Sequence, residues 1–374
     1  MNRHLLGLRD LSVTQIQHLL DLAQSYADGE RPAGILAGRT LMTLFYEPST
    51  RTEISFELAA KHAGAEVVCC DVDRSSVKKG ESFVDTVQTL EALGADAIVI
   101  RHPMAGAPTL ASQLVRCAVI NAGDGMHEHP TQGLLDLLTV RQRKERIAGL
   151  KVALVGDVLH SRVARSALWG FTKLGASLTL VGPPTLLPPL LPSSLFPLPS
   201  QVTMTSSLEE GLQDADVVMA LRMQLERQQH GYVPSLAEYA RHYGVTARTL
   251  AYARPDALLL HPGPMNLGVE ITADAAYGPR SAIQTQVANG VAVRLAVLLW
   301  ALDTDERREP PRSLRELGAE RGNEGTRERE TIRERPLSVI ASGSEAPDTE
   351  SVIASVAKQS SVTPEIASAL RASQ

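Results

Sequence analysis

Short apolar runs and amphipathic stretches take turns along this chain, and few architectures accommodate that alternation. Leu41–Tyr46, Glu66–Cys70, Asp96–Ile100 and Ala118–Ile120 are short and apolar, which predicts buried strands. Between them, Arg51–His62, Glu81–Leu93 and Pro108–Arg116 carry helical periodicity. Strands separated by helices pair in parallel, because each crossover must return over the sheet. A longer helix over Thr131–Lys144 leads into a second series, with strands at Lys151–Val155, Ser177–Val181, Asp216–Ala220 and Ala257–Leu260. Arg162–Leu174 is its clearest helix. The expected fold is α/β, with two domains, each a mainly parallel sheet flanked by helices. An apolar helix over Ala282–Leu302 is expected to pack back on the first domain, which groups residues 1–133 with 282–303 and leaves 134–281 as the second domain.

Two stretches fall outside this pattern. Gly182–Ser200 is rich in Pro and Leu, and prolines interrupt both helix and ladder, so a surface loop is expected. After Asp303, Arg and Glu dominate through Arg335, and Ser, Ala and Thr follow, so residues 304–374 read as a disordered tail.

The formal net charge of -5 over 374 residues gives no reason to expect nucleic acid or an anionic membrane as a partner. Any anionic ligand must be held by locally clustered cations. Cys69 and Cys70 lie in an apolar run and read as reduced core residues; with Cys117 they form no CxxC spacing for zinc or redox work. The amino terminus lacks an apolar signal region, and no stretch is expected to reach the unbroken apolar length of a membrane span. A cytoplasmic protein is the expectation.

Chemistry-bearing residues gather where strands end. Glu47-Pro48-Ser49-Thr50-Arg51-Thr52 follows a strand and opens a helix, with Ser or Thr expected to cap it. Backbone N–H groups, hydroxyls and a guanidinium at one helix N-terminus suit a phosphate, and the glycines of a Walker loop are missing. An ordinary N-cap is the bland alternative. Ser75-Ser76-Val77-Lys78-Lys79 makes a basic loop; the bland reading is a solvated connection before a helix, and the alternative is that it supplies the lysine the first motif lacks. Arg101-His102-Pro103 ends another strand, at the edge where open α/β sheets bind ligands. In the glycine-marked segment Asn121–Gln132, His129 and Gln132 stand one helical turn apart with Pro130 at the helix start. A metal at His127 and His129 lacks a third ligand of suitable spacing. Val155-Gly156-Asp157, with Ser161-Arg162 beyond it, ends a strand without the dinucleotide fingerprint, which argues against NAD. Arg222-Met223-Gln224 and His261-Pro262-Gly263-Pro264 also follow strands, and paired arginines suit a dicarboxylate.

Taken together, these motifs resemble the aspartate/ornithine carbamoyltransferase family from about Asn2 to Leu302. Ser49-Thr50-Arg51-Thr52 is similar to the family's carbamoyl-phosphate motif, and His129-Pro130-Thr131-Gln132 to its second signature. Lys78-Lys79, Arg222-Met223-Gln224 and the absence of cysteine from His261-Pro262-Gly263-Pro264 favour the aspartate branch over the ornithine branch. The resemblance implies that Ser49, Thr50, Arg51 and Thr52 hold the phosphate. It implies that Arg101, His129 and Thr52 address the carbamoyl carbonyl, while Gln132, Gly263 and Pro264 contact the carbamoyl amide. Arg162, Arg222 and Gln224 would bind the aspartate carboxylates, joined by Ser75 and Lys79 from a neighbouring subunit. A homotrimer with shared sites, a place in pyrimidine biosynthesis and a reaction free of metal or redox cofactor are implied in the same way. A regulatory or dihydroorotase-like subunit stays open as a partner, and a non-catalytic assembly subunit stays open as an alternative. Two positions depart from the family pattern: Glu53 follows Thr52 where a basic residue is usual, and Leu267 follows Asn266 where arginine is frequent.

Overall fold

The structure is a computed structural model that describes residues 3–30, 32–70, 72, 80–188, 200–224 and 231–302. The basic loop with Ser75, Lys78 and Lys79, most of the Pro/Leu stretch and the segment 304–374 lie outside the described residues.

The chain opens with α1 (Val13–Ala27), started by a capping box in which Ser12 and Gln15 serve each other's backbone. Then β1 (Thr40–Phe45), α2 (Thr50–His62), β2 (Glu66–Cys70), α3 (Phe83–Ala92), β3 (Ala97–His102), α4 (Ala107–Leu114) and β4 (Ala118–Asp124) alternate as expected. Their sheet has the order β2-β1-β3-β4, with each neighbouring pair parallel. A bridging helix, α5 (Pro130–Lys144), leads to the second series: β5 (Lys151–Val155), α6 (Arg162–Lys173), β6 (Ser177–Val181), β7 (Val202–Thr205), α7 (Leu208–Leu212), β8 (Val217–Ala220), α8 (Leu236–Tyr243), β9 (Leu258–Leu260) and α9 (Ala273–Ala276). This sheet has the order β7-β6-β5-β8-β9, again parallel throughout.

The chain closes its described part with α10 (Ile283–Leu302), which packs against α1, α2 and α5, as its apolar sequence led one to expect. By length and composition alone α10 is able to cross a membrane, contrary to the expectation that no stretch qualifies. Here it is a core helix: Val293, Leu295, Ala296, Val297 and Leu298 are buried, and Arg294 is buried beside them. From Ala292 to Leu298 the helix is buried on every side, which suits its apolar run there. One apolar core runs without interruption from Leu8 and Phe56 through α5 to Phe171, so the two sheets share it. Gly133 permits this closeness, since a Cβ there would stand 2.7 Å from Leu8 Cδ1.

Three expectations change. Cys69 is exposed and Cys70 half-buried, because β2 is an edge strand flanked by β1 alone; Cys117 is buried. The glycine-marked segment Asn121–Asp124, beyond the strand expected over Ala118–Ile120, continues β4, with its register shifting opposite Ile100 and His102. Ser49 stands at the N-cap of α2 without making a side-chain cap; its hydroxyl donates to Thr52 Oγ1 at 3.0 Å instead.

Candidate active site

Each sheet reverses its strand order at its centre, between β1 and β3 in one and between β5 and β8 in the other. Helices on opposite faces leave a crevice at such a reversal, beyond the carboxyl ends of the strands. The charged residues singled out in the sequence flank both crevices: Glu47–Thr52 after β1, Arg101 near the end of β3, Asp157 and Arg162 after β5, Arg222 and Gln224 after β8.

The turn after β1 connects two arginine groupings. Glu47 Oε2 lies 2.7 Å from Arg162 Nη2 and 3.6 Å from Arg101 Nε. Gly123 has a φ of +114°, and a Cβ there would lie 3.0 Å from Arg162 Nε and 3.2 Å from Arg101 Nη1. Both guanidiniums therefore lie against the bare backbone of β4, where Arg101 donates to the Ala122 carbonyl at 3.1 Å and Arg162 to that of Gly125 at 3.4 Å. Arg162 is buried, set there by Ser161, whose hydroxyl caps α6 by accepting the Ala164 N–H.

Four residues after Glu47, Arg51 reaches the other lobe's loop. Its Nη2 would be 2.7 Å from a Cβ on Gly263, which has a φ of +66° and precedes a cis peptide bond to Pro264. Burial and the like charge of Arg222 both push the Arg51 guanidinium below its ordinary pKa. Cations crowded together with partial desolvation favour an anion between them. Gln224 is placed through its backbone N–H, 3.4 Å from Asp157 Oδ2, and its side chain returns to the Arg222 carbonyl at 3.2 Å. Asp157 Oδ1 also pairs with His160 Nδ1 at 2.8 Å.

His129 is the buried N-cap of α5, its N–H donating to Ser166 Oγ at 2.9 Å. The turn before it is fixed by Asp124, which accepts the N–H groups of Gly106 and Glu128 and the Asn121 amide. His127 sits 3.0 Å from Asp124, and that hydrogen bond, outweighing burial, raises its pKa. Buried Glu128 accepts the Leu8 N–H at 2.7 Å and the Ser166 hydroxyl at 2.9 Å, which ties α6 to the amino-terminal segment behind His129. Gln132 is buried one turn along, donating to Asp136.

Ser49, Thr50, Arg51, Thr52, Arg101, Arg162, Arg222 and Gln224 thus stand on segments that border the two crevices, while His129 and Gln132 follow β4, and Gly263, which lies against Arg51, and Pro264 follow β9. Of the departures from the family pattern, Glu53 is half-buried in the first turn of α2, where an acidic residue suits the helix dipole, and Leu267 is exposed. Sequence reasoning gave no role to Glu47, Asp136, Asp157 or Gln286. A carboxylate's or amide's partners are tertiary, so only the positions of Glu47 and Asp157 inside motifs offered any signal.

A fold with a shared core, two switch-point crevices and arginines lining both has known counterparts. Residues 3–142 match the carbamoyl-phosphate-binding domain of aspartate/ornithine carbamoyltransferases, and residues 148–301 match their Asp/Orn-binding domain. The chain belongs to the aspartate/ornithine carbamoyltransferase family. It is similar to the aspartate carbamoyltransferase catalytic subunit of Pelotomaculum thermopropionicum, at 53% identity over 302 residues that cover 80% of this chain and 96% of that one. The corresponding subunit of Roseiflexus sp. is 54% identical over 301 residues, covering 79% and 94%. Among solved structures, aspartate transcarbamoylase from Trypanosoma cruzi in complex with N-(phosphonacetyl)-L-aspartic acid superposes with a TM-score of 0.73 at 31% identity, covering 80% of this chain and 95% of that one. Ornithine carbamoyltransferase from Pyrococcus furiosus gives 0.73 at 27% identity, covering 82% and 98%.

Proposed function

We propose that this chain is a catalytic subunit of aspartate carbamoyltransferase, acting in de novo pyrimidine (UMP) biosynthesis. It joins carbamoyl phosphate to the amino group of L-aspartate, giving N-carbamoyl-L-aspartate and phosphate. The observation that carries this reading is the gathering about one turn, Glu47–Thr52, of Arg51 against Gly263 and of Arg101 and Arg162 around Glu47. The acceptor is assigned from the aspartate-branch motif Arg222-Met223-Gln224 and from relatives that share more than half their residues with this chain.

In this reading the phosphate sits on the N-terminus of α2, with Ser49, Thr50, Arg51 and Thr52. The Ser49 side chain does not cap that end, which leaves its first-turn N–H groups for an incoming anion. The aspartate amine, once deprotonated, attacks the carbamoyl carbon, and negative charge grows on the carbonyl oxygen. Arg101, His129 and Thr52 stabilise it; losing one such donor costs roughly 3–4 kcal/mol, about 10²–10³ in rate. The C–O bond to phosphate then breaks, and the departing phosphate's own oxygens take the amine proton. Gln132 and the Gly263–Pro264 backbone hold the carbamoyl amide, while Arg162, Arg222 and Gln224 hold the aspartate carboxylates. Holding amine and carbonyl together supplies effective molarity of ~10⁵ M or more, so orientation does much of the catalysis.

The finer assignments rest on the family resemblance: Ser75 and Lys79 reaching in from a neighbouring subunit, a homotrimer, and a cytoplasmic location. The grouping of 282–303 with 1–133 around carbamoyl phosphate is supported by the packing of α10 on α1 and α2. Residues 134–281 form the aspartate-binding half.

The test is a steady-state assay of the purified chain with carbamoyl phosphate and a panel of acceptors. Transfer to aspartate well above ornithine supports the reading. Preference for ornithine moves the chain to the other branch, and no phosphate release with any acceptor sinks the activity altogether.

A further inference from the structure

Behind the proposed carbamoyl site lies a buried carboxylate to which the mechanism gives no task. Asp136, one turn along α5 from Gln132, has no exposure and accepts two amides on Oδ1: Gln132 Nε2 at 2.9 Å and Gln286 Nε2 at 2.7 Å. Gln286 Oε1 accepts the His261 N–H at 2.9 Å, and His261 Nδ1 accepts the Gly263 N–H at 2.8 Å. His261 Nε2 is 3.2 Å from buried Glu270, which also accepts the Asn266 N–H and so pins the far side of the same loop. One carboxylate therefore stands at the origin of two hydrogen-bond chains. The first ends at Gln132 on α5, the second at the Gly263–Pro264 turn after β9.

We propose that Asp136 is a positioning residue for carbamoyl transfer: it fixes which end of the Gln132 amide meets the carbamoyl group and sets the Gly263–Pro264 turn opposite it. The inference rests on the placement of Gln132 and Gly263–Pro264 at the carbamoyl amide. An ionised carboxylate only accepts, so it selects the NH₂ end of Gln132. The amide oxygen then faces away from Asp136 as an acceptor, which complements an NH₂ group and not a methyl. The same logic orients Gln286, whose NH₂ is committed to Asp136 and whose oxygen is left for the His261 backbone. Burial raises the Asp136 pKa to about 7, opposed by its two amide partners and by the field of Arg294, buried on α10, so the carboxylate is ionised on the alkaline side of that value, where the test is made. Oδ2 of Asp136 is buried and has no hydrogen-bond partner among the described residues, so the group is held for what Oδ1 organises. A neutral asparagine in its place presents either end of its own amide and leaves Gln132 free to turn over.

The experiment compares carbamoyl phosphate with acetyl phosphate, in which a methyl replaces the NH₂, by calorimetric binding to the full chain at about pH 8. Inorganic phosphate is the control ligand. Asp136→Asn and Gln132→Ala are each expected to cut the preference for carbamoyl over acetyl phosphate by about tenfold, the worth of one well-placed hydrogen bond. Affinity for inorganic phosphate should stay within about twofold, which a general structural lesion would not allow. Gln286→Met, which cuts only the second chain, should lower the preference by a smaller factor, and it carries the test if Asp136→Asn does not fold. Loss of preference in Gln132→Ala with full preference in Asp136→Asn, or in Gln286→Met where that variant stands in, overturns the inference. Full preference in Gln132→Ala instead overturns the placement of Gln132 beneath it.

Discussion

Arg51 and Asp136 show how much a single side chain settles in this molecule. Arg51 lies against Gly263 and feels Arg222, so its removal takes away the charge nearest the uncapped end of α2 without opening a core cavity. Arg51→Ala is expected to lower turnover by at least about 10²–10³ at saturating substrate, with an unchanged far-ultraviolet spectrum. Activity equal to the parent would remove Arg51 from the site. Asp136 makes a different prediction, through stability. Burial, the dominant influence, raises its pKa from 3.8 to about 7 against the pull of Gln286, Gln132 and Arg294. Between those values the folded chain keeps a proton that the unfolded chain has released, so this group's contribution falls as pH rises from ~4 to ~7 and is level beyond. At ~1.4 kcal/mol per unit the total is on the order of 4 kcal/mol. The stability of Asp136→Asn relative to the parent should therefore improve between about pH 5 and about pH 8, read from urea midpoints. A difference independent of pH would mean that the carboxylate does not titrate there.

At the scale of elements, α10 is the piece that links distant parts of the chain. Its contacts with α1, α2 and α5 join the last described residues to the first, and Leu298 is completely buried among them. Leu298→Ala is expected to cost about 2–5 kcal/mol, seen as a lower denaturation midpoint with an unchanged slope. Such elements were legible in the sequence because period and length announce them, and the strands Glu66–Cys70, Lys151–Val155 and Ser177–Val181 fall where their apolar runs end. Five of these elements went unread: the short helices α7, α8 and α9, together with β7 and α1. The four-residue β7 is a half-exposed edge strand beyond a proline-rich stretch, with too little pattern to see. The helix α1 had its signal in plain view, a Ser12-x-x-Gln15 box before Ile16, Leu19, Leu20 and Ala23. The arginines of the site were readable because they follow strands, where parallel sheets bind ligands. Glu47, Asp157, Asp136 and Gln286 were not, since nothing local tells a carboxylate or amide that positions a neighbour from one that meets water.

For the molecule as a whole, the clustered arginines predict that anions and folding are linked. Inorganic phosphate binding the native state alone should raise the melting temperature, by up to ~2.7 kcal/mol of stability at a hundredfold excess over Kd. Arg51→Ala should blunt that rise; an equal rise in both would place phosphate elsewhere. The match to family domains ends at residue 301, so a chain ending at Asp303 is expected to keep its fold and its transfer activity. Loss of either would give residues 304–374 a task. One arrangement gives this linkage a particular character. Glu47 already occupies buried Arg162 at 2.7 Å, so that guanidinium has a carboxylate of its own chain in place. Under the proposed role of Arg162, an arriving dicarboxylate is in competition with a tethered rival, one whose local concentration never dilutes. Its apparent affinity is a difference between two ion pairs, and a ligand with the right charge in the wrong shape gains almost nothing by displacing the occupant.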